Sequence, residues 1–408
     1  MTFTSENHRQ PKMLKLNKYA EVVNLIVHGQ GVVIFDASDS CCLTFFNNQN
    51  LPCLRVYFNE TNINVNMEPS NEPLIDQKNT KGIMKGVRGA YYWFSIDSQN
   101  QRLYAGIGEA RQENIIYSYQ FSQENRENYK AFLESIVYVN AYELQITSIL
   151  RDPITRQVPL LVKNTEELTM DDIASGTYVP KANLSLTSQK LYDCISGKNF
   201  VLNTPDFPNF TEAIEYSINT PGKWCYECLK QKANEFDKDK PNYDETYLRI
   251  TLGENNGESP GIPYVMEIWP IGHYSPIHNH AGASAIIRVL NGTINVCLFP
   301  FLSGDAVEPF AISDFKKDDI TWISPSLNQV HQLKNLDTNT ETCITIQCYM
   351  YENENNLHYD YFDYLDANGN KNQFEPNSDM DFIEFKNTIK NEWQQHKTCT
   401  TNDCCSLN

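Results

Sequence analysis

Long apolar runs are missing from this chain. Its hydrophobic stretches are strand-sized and fall well short of the roughly 20 residues that a bilayer-spanning helix needs. The amino terminus, MTFTSENHRQPK, has no apolar centre, so no signal peptide is expected. Basic patches are missing too. Lys and Arg number 33 against 51 Asp and Glu, for a net charge of -18. Without clustered cations there is nothing to neutralise a phosphate backbone, and a nucleic-acid partner is not expected. The 12 cysteines follow no framework spacing. In a chain without a secretion signal they are expected as reduced thiols, which suits a cytoplasmic protein with no membrane partner. No long internal repeat is present either.

What remains is a long chain with ample core-forming material. At 408 residues with 41% hydrophobic content, it exceeds what one hydrophobic core normally organises, and two domains are the expectation. Residues 1–13 are polar and expected as a disordered tail. From 14 to 165 the pattern is one of short β-branched and aromatic runs between turn residues, predicting an antiparallel β-sandwich. Its first two runs, 22–35, straddle a Gly turn and predict a hairpin, and a short helix is expected near 124–136. Residues 166–188 are polar and punctuated by Pro and Gly, and are expected as a linker. Amphipathic patterns at 210–218 and 223–236 predict helices ahead of a second β-rich domain, 189–393, and residues 394–408 are expected as a flexible tail. The overall expectation is mainly β.

The chemistry concentrates in GHYSPIHNH, residues 272–280. His278 and His280 stand at i, i+2. On a strand, alternate residues face one side, so both imidazoles can enter the same cavity. A third histidine, His331, follows in VHQLKN. Three neutral nitrogens with open positions describe a transition-metal site suited to chemistry more than to structural support.

The spacing around these residues resembles the two signatures of the cupin superfamily. The first runs from Gly272 through His278 and His280 to Gly292. The second contains Pro325, His331 and Asn335. Where cupins usually carry a Glu, this chain has Ala285, which places it beside the three-histidine cupins, including the thiol dioxygenases. The segments NTPGKWCYECL, YLRITL, WPIGHYSPIHNH, WISPSLNQVH and TETCITIQCY are similar, in order and spacing, to cysteine dioxygenase across residues 188–375, about half of the chain. The resemblance implies a cupin (jelly-roll) barrel preceded by short helices. It implies Fe(2+) on His278, His280 and His331, binding the substrate thiolate, amine and dioxygen. It gives Arg249 as the clamp for a substrate carboxylate, Tyr247 beside it, Tyr349 as the catalytic tyrosine, and Thr345 and Gln347 behind that tyrosine. The implied reaction is oxidation of a small thiol, L-cysteine first, to its sulfinate with O2.

Three departures stand out. Ala285 removes the cysteine that cross-links to the tyrosine in animal relatives. Gln347 replaces the relay histidine; it can hold Tyr349 but cannot shuttle a proton. The loop before His331 is one residue longer. Gln347 keeps open a reading as a catalytically degenerate binding or scaffold module, and 3-mercaptopropionate or an N-terminal cysteine stay open as substrates. Other features read as structure: Cys225 and Cys228 as packed helix thiols, His273 as a surface residue, Trp269 and Trp322 as packing around the barrel, and Asn368-Gly369 as a hairpin turn. In the N-terminal half, KGVRGAYYWFSID with RLYAGIGE weakly resembles lectin-like sandwich modules, in which Tyr91, Tyr92 and Trp93 would offer a stacking platform for a sugar. That resemblance allows a carbohydrate or protein partner, against the alternative that the rings fill the core.

Overall fold

The computed structural model describes residues 13–16, 22–37, 40–59, 62–75, 91–236, 240–253, 263–305, 307–351 and 361–405. The expected N-terminal tail lies almost wholly outside them. The chain divides into two compact units, Met1–Gln157 and Val158–Asn408.

The first unit is the expected sandwich. One six-stranded sheet runs in the order Met13–Lys15, Gln145–Leu150, Gln30–Asp36, Tyr92–Asp97, Arg102–Ile107, Ile115–Gln120. The other runs Val22–Asn24, Ile136–Tyr142, Cys41–Asn47, Pro52–Phe58, Ile63–Met67, Glu72–Leu74. Strict alternation decides which side chains enter. In Cys41–Asn47, for example, Cys41, Leu43 and Phe45 are buried while their neighbours are only partly so. The hairpin expected at 22–35 does not form a ladder, because its two arms belong to different sheets. The reason lies at the turn. Gly29 has φ +65°, and a Cβ there would sit 2.3 Å from the Leu133 carbonyl oxygen, so the chain turns tightly against the Arg126–Glu134 helix and crosses over. Tyr92 and Trp93 are buried in the sandwich and only Tyr91 is exposed, so two of the three aromatics are core residues.

The second unit is the expected double-sheet jelly-roll barrel, antiparallel except at the two edges of its larger sheet, with helices packed against it. The larger sheet has eight strands in the order Tyr178–Pro180, Leu161–Lys163, Ile320–Ile323, Ser284–Asn291, Cys343–Met350, Tyr264–Trp269, Leu248–Thr251, Met380–Asp381. The smaller has three: Ala311–Lys316, Thr293–Leu298 and His331–Lys334. A hairpin, Phe362–Leu365 with Lys371–Phe374, turns at Asn368-Gly369 as expected.

The central strands are buried on both faces, and each face has its own job. From Cys343–Met350, Ile344 joins a core with the helices Phe210–Asn219, Trp224–Lys232 and Phe382–Cys405, through Ile214, Leu229 and Phe385. Ile346 and Cys348 pack under the helix Leu186–Ile195. The alternate residues of the same strand, Thr345, Gln347 and Tyr349, point the other way, into the barrel.

Two boundaries differ from expectation. Residues 166–188 are not a free linker. They carry the helix Met170–Ser175, the strand Tyr178–Pro180 and the start of the helix at Leu186, all within the second unit. A Thr169/Asp172 capping box and the left-handed Gly176 explain why so polar a stretch is ordered. Residues 394–405 are helical and not a loose tail, because the helix that begins at Phe382 meets no Pro or Gly before Cys405. No helix among the described residues is long and apolar enough to cross a membrane.

Candidate metal centre

His278 and His280 do not lie on a regular strand. They occupy an extended segment before Ser284–Asn291, tied down at single bridges. His278 exchanges two backbone hydrogen bonds of 3.0 Å with His331, which begins a strand of the smaller sheet. That reciprocal pair brings the first and third histidines together across more than fifty residues of chain. After His280 the chain turns sharply through Ala281 (φ 51°) and Gly282 (φ 78°), and the Ala283 N–H donates back to the His280 carbonyl at 2.9 Å. The alternation expected from H-x-H therefore holds, but a pinned loop enforces it.

The three imidazoles converge. Their ligand-capable nitrogens all lie within 4.8 Å of one another, and the two Nε2 atoms of His280 and His331 are 3.2 Å apart. Backbone carbonyls set the tautomers. Nδ1 of His278 is 2.9 Å from the Pro276 oxygen and Nδ1 of His331 is 3.0 Å from the Asn328 oxygen, so each carries its proton outward and turns a lone pair inward. Nδ1 of His280 has no hydrogen-bond partner.

Burial, and then the neighbouring His331, push the pKa of His278 down from 6.5 to about 3. Burial takes His331 to about 4, and burial plus the two other histidines hold His280 well below its usual value. Three neutral, buried nitrogen donors at this spacing fit a transition-metal ion. They would leave further coordination positions to be filled by other molecules.

The remaining residues expected at the site line the same small cavity: Tyr247, Arg249, Gln347 and Tyr349. Ala285 lies directly opposite Tyr349 on the adjacent strand, where a cysteine would reach the ring; with Ala there, no cross-link can form. The Tyr349 hydroxyl donates to Oε1 of Gln347 at 2.6 Å, as the sequence predicts. Thr345 does not extend this pair, since its buried hydroxyl makes no hydrogen bond. Tyr247 is fixed by stacking on Trp269, with ring centroids 4.1 Å apart. Burial holds both phenols protonated by raising their pKa values, and Glu267 adds to the effect.

One residue of the cavity escaped the sequence reading. Glu267, on Tyr264–Trp269, is buried and sits 3.9 Å from Nε of Arg249. Burial raises its pKa, while Arg249 and the Gln347 side chain oppose that rise. The signal was present in YVMEIW, where a single carboxylate interrupts an apolar strand and must find a partner inside. Arg249 Nε and Gln347 Nε2 are both buried without a hydrogen bond, an unfavourable state that a polar ligand would relieve.

Two further expectations resolve here. His273 is buried and not on the surface. Its Nδ1 meets both Oγ1 and the carbonyl oxygen of Thr246 at 3.0 Å, which locks the turn before the metal motif to the strand carrying Arg249. Asn335, of the second signature, is structural. Its amide donates to the carbonyls of Trp269 (2.8 Å) and Glu341 (3.0 Å). Cys225 and Cys228 are packed helix thiols as expected, with burial raising both pKa values, that of Cys228 to about 12.

No protein-family model matches the chain. Among solved structures, the cupin domain of an XRE-family transcriptional regulator from Enterobacter cloacae is similar over 26% of this chain and 96% of its own, at 13% identity and a TM-score of 0.21. A cupin-like protein from Thermotoga maritima matches over 24% of this chain and 66% of its own, at 19% identity and a TM-score of 0.20. The DMSP lyase DddQ from Ruegeria pomeroyi matches over 26% and 48%, at 18% identity and a TM-score of 0.20. At such scores nothing about activity passes from those proteins to this chain.

Proposed function

We propose that the second unit is a non-haem iron(II) thiol dioxygenase. Its preferred substrate is a small amino-thiol carboxylate, L-cysteine before others, and its product is the sulfinate. The observation that carries this reading is the meeting of three neutral imidazoles with a buried Arg249–Glu267 pair in one cavity. A metal ion held there would supply Lewis acidity to the thiol and a place for dioxygen.

The chain's own residues do the rest. The Arg249 guanidinium suits a planar carboxylate, and its Nε, which makes no hydrogen bond within the protein, is one of the donors such a group would satisfy. Glu267, buried beside Arg249 in the same cavity, would accept a hydrogen bond from the substrate amine. Together the two offer one positive and one negative partner, matched to an amino-acid head group. 3-Mercaptopropionate would leave Glu267 without an amine, and an N-terminal cysteine would leave Arg249 without a carboxylate. Tyr349, held protonated by burial and with its one hydroxyl proton donated to Gln347, offers an acceptor oxygen on the wall of the histidine cavity. In the overall reaction the thiol sulfur is oxidised and dioxygen reduced, and both oxygen atoms end bonded to sulfur.

The alternative reading, a degenerate binding module, is favoured by Gln347 and by the contact between Arg249 and Glu267 within the protein itself. The experiment that separates the two is anaerobic iron loading followed by oxygen uptake with L-cysteine. Stoichiometric iron and sulfinate production support the enzyme, with Arg249→Ala raising KM for cysteine and leaving iron content unchanged. Failure to retain iron would sink the dioxygenase.

A further inference from the structure

The barrel interior is divided. One half, facing the strands Leu248–Thr251, Tyr264–Trp269 and Cys343–Met350, carries the polar cavity of Arg249, Glu267 and Tyr349. The other half contains a second cavity, lined by Ile287, Val289, Ile294, Val296, Phe315 and Leu333 with few polar atoms between them. Strand alternation builds it. Ile287 and Val289 point inward while Ile286 of the same strand packs under the helix Leu186–Ile195. The two cavities meet at His331 and Leu333, which line both.

We propose that this apolar chamber is a binding site for a small apolar gas, and that it holds dioxygen beside His331 of the histidine cluster. The identity of the gas rests on the dioxygenase reading; the affinity for an apolar gas does not. Three observations support it. The chamber leaves about 20 Å³ for the centre of a water-sized molecule. On that measure one water needs about 10–15 Å³, so there is space for a single small guest. A lone water there would forfeit most of its hydrogen bonds, so an apolar guest is favoured over water. Finally, the chamber extends from His331 to Leu160, Asp319 and Thr321, which are only partly buried and do not line the polar cavity. The polar cavity is smaller, about 10 Å³ on the same measure, so a thiol must widen it to enter and leaves no room for a second guest. A separate apolar chamber gives the second reactant a place once the first has closed that space.

The test uses the full-length, metal-free protein and xenon as the probe. Methyl NMR under xenon pressure should give saturable shifts at Ile287, Val289 and Val296, with none at Ile286 on the outer face of the same strand. Val296→Phe, which fills the chamber, should abolish those shifts, and Val296→Met offers a milder filling should the larger ring prevent folding. In iron-loaded protein either variant should raise KM for dioxygen by about tenfold and leave KM for the thiol unchanged. Absence of xenon shifts at the chamber methyls, or shifts that persist once the chamber is filled, would overturn the site. Xenon binding without any dioxygenase activity would retain the gas site and remove only the assignment of dioxygen, so the two failures are distinguishable.

Discussion

At the scale of single residues, the site is a problem of charge placed where water is not. Arg249 and Glu267 are both buried, and each favours the charged form of the other against the burial that opposes it. Such a pair is a weak source of stability, because desolvation offsets most of its attraction. Its value is in recognition. Replacing Glu267 with Gln keeps the shape and removes the negative partner. The expected result is a KM for L-cysteine raised about tenfold or more, the scale of one lost charged hydrogen bond, with a much smaller change for 3-mercaptopropionate. Steady-state kinetics with the two thiols measure this, and an equal loss for both would show that Glu267 does not read the amine.

At the scale of elements, the barrel depends on how the chain passes between its sheets. The strand Ser284–Asn291 belongs to the larger sheet and Thr293–Leu298 to the smaller, and Gly292 alone joins them. Its φ is +71°, and a Cβ there would stand 2.9 Å from the Thr342 carbonyl oxygen and 3.0 Å from Cys343 Cα. Both are backbone atoms with little freedom to move. Gly292→Ala is therefore expected to destabilise the second unit by about 1–3 kcal/mol, a fall of several degrees in Tm for a unit of this size. Calorimetry checks it, and an unchanged Tm would mean that the turn relaxes freely.

At the scale of the molecule, the histidines couple acidity to stability. Each has a folded-state pKa below its unfolded value of 6.5: about 3 for His278, about 4 for His331, and lower than usual for His280. Between those limits the unfolded chain binds protons that the folded chain refuses, so stability falls as pH drops below 6.5 and is regained as pH rises. In metal-free protein the slope is expected to reach about 1.4 kcal/mol per pH unit for each histidine. Tm measured across pH 4–7 should show this fall, and a variant with all three histidines replaced by Gln should show a flatter profile. If the two profiles run parallel, the histidines are not the groups that titrate. Above that window all three are already neutral, so binding a metal at pH 7 displaces no proton from them.

Much of this was legible in the chain. Period-two patterns gave the sandwich strands, and the spacing of His278, His280 and His331 carried the metal site, because each depends on local geometry that residue type reveals. The partners of a residue were not legible. Glu267 could be seen as out of place in YVMEIW, but only the pairing of Leu248–Thr251 with Tyr264–Trp269, in which Arg249 stands opposite Glu267, says which cation meets it. The hairpin at 22–35 failed for the same reason, since the crossing at Gly29 is imposed by a helix a hundred residues away. His273, polar and placed in a turn, read as a surface residue until Thr246 enclosed it. Sequence by itself determined which side chains could do chemistry and which face of each strand they shared. The tertiary structure decided which of them meet, and divided the interior into a charged half and an apolar one. Strand order and sheet packing are long-range choices that burial energy makes for the whole chain at once, and no local window contains them.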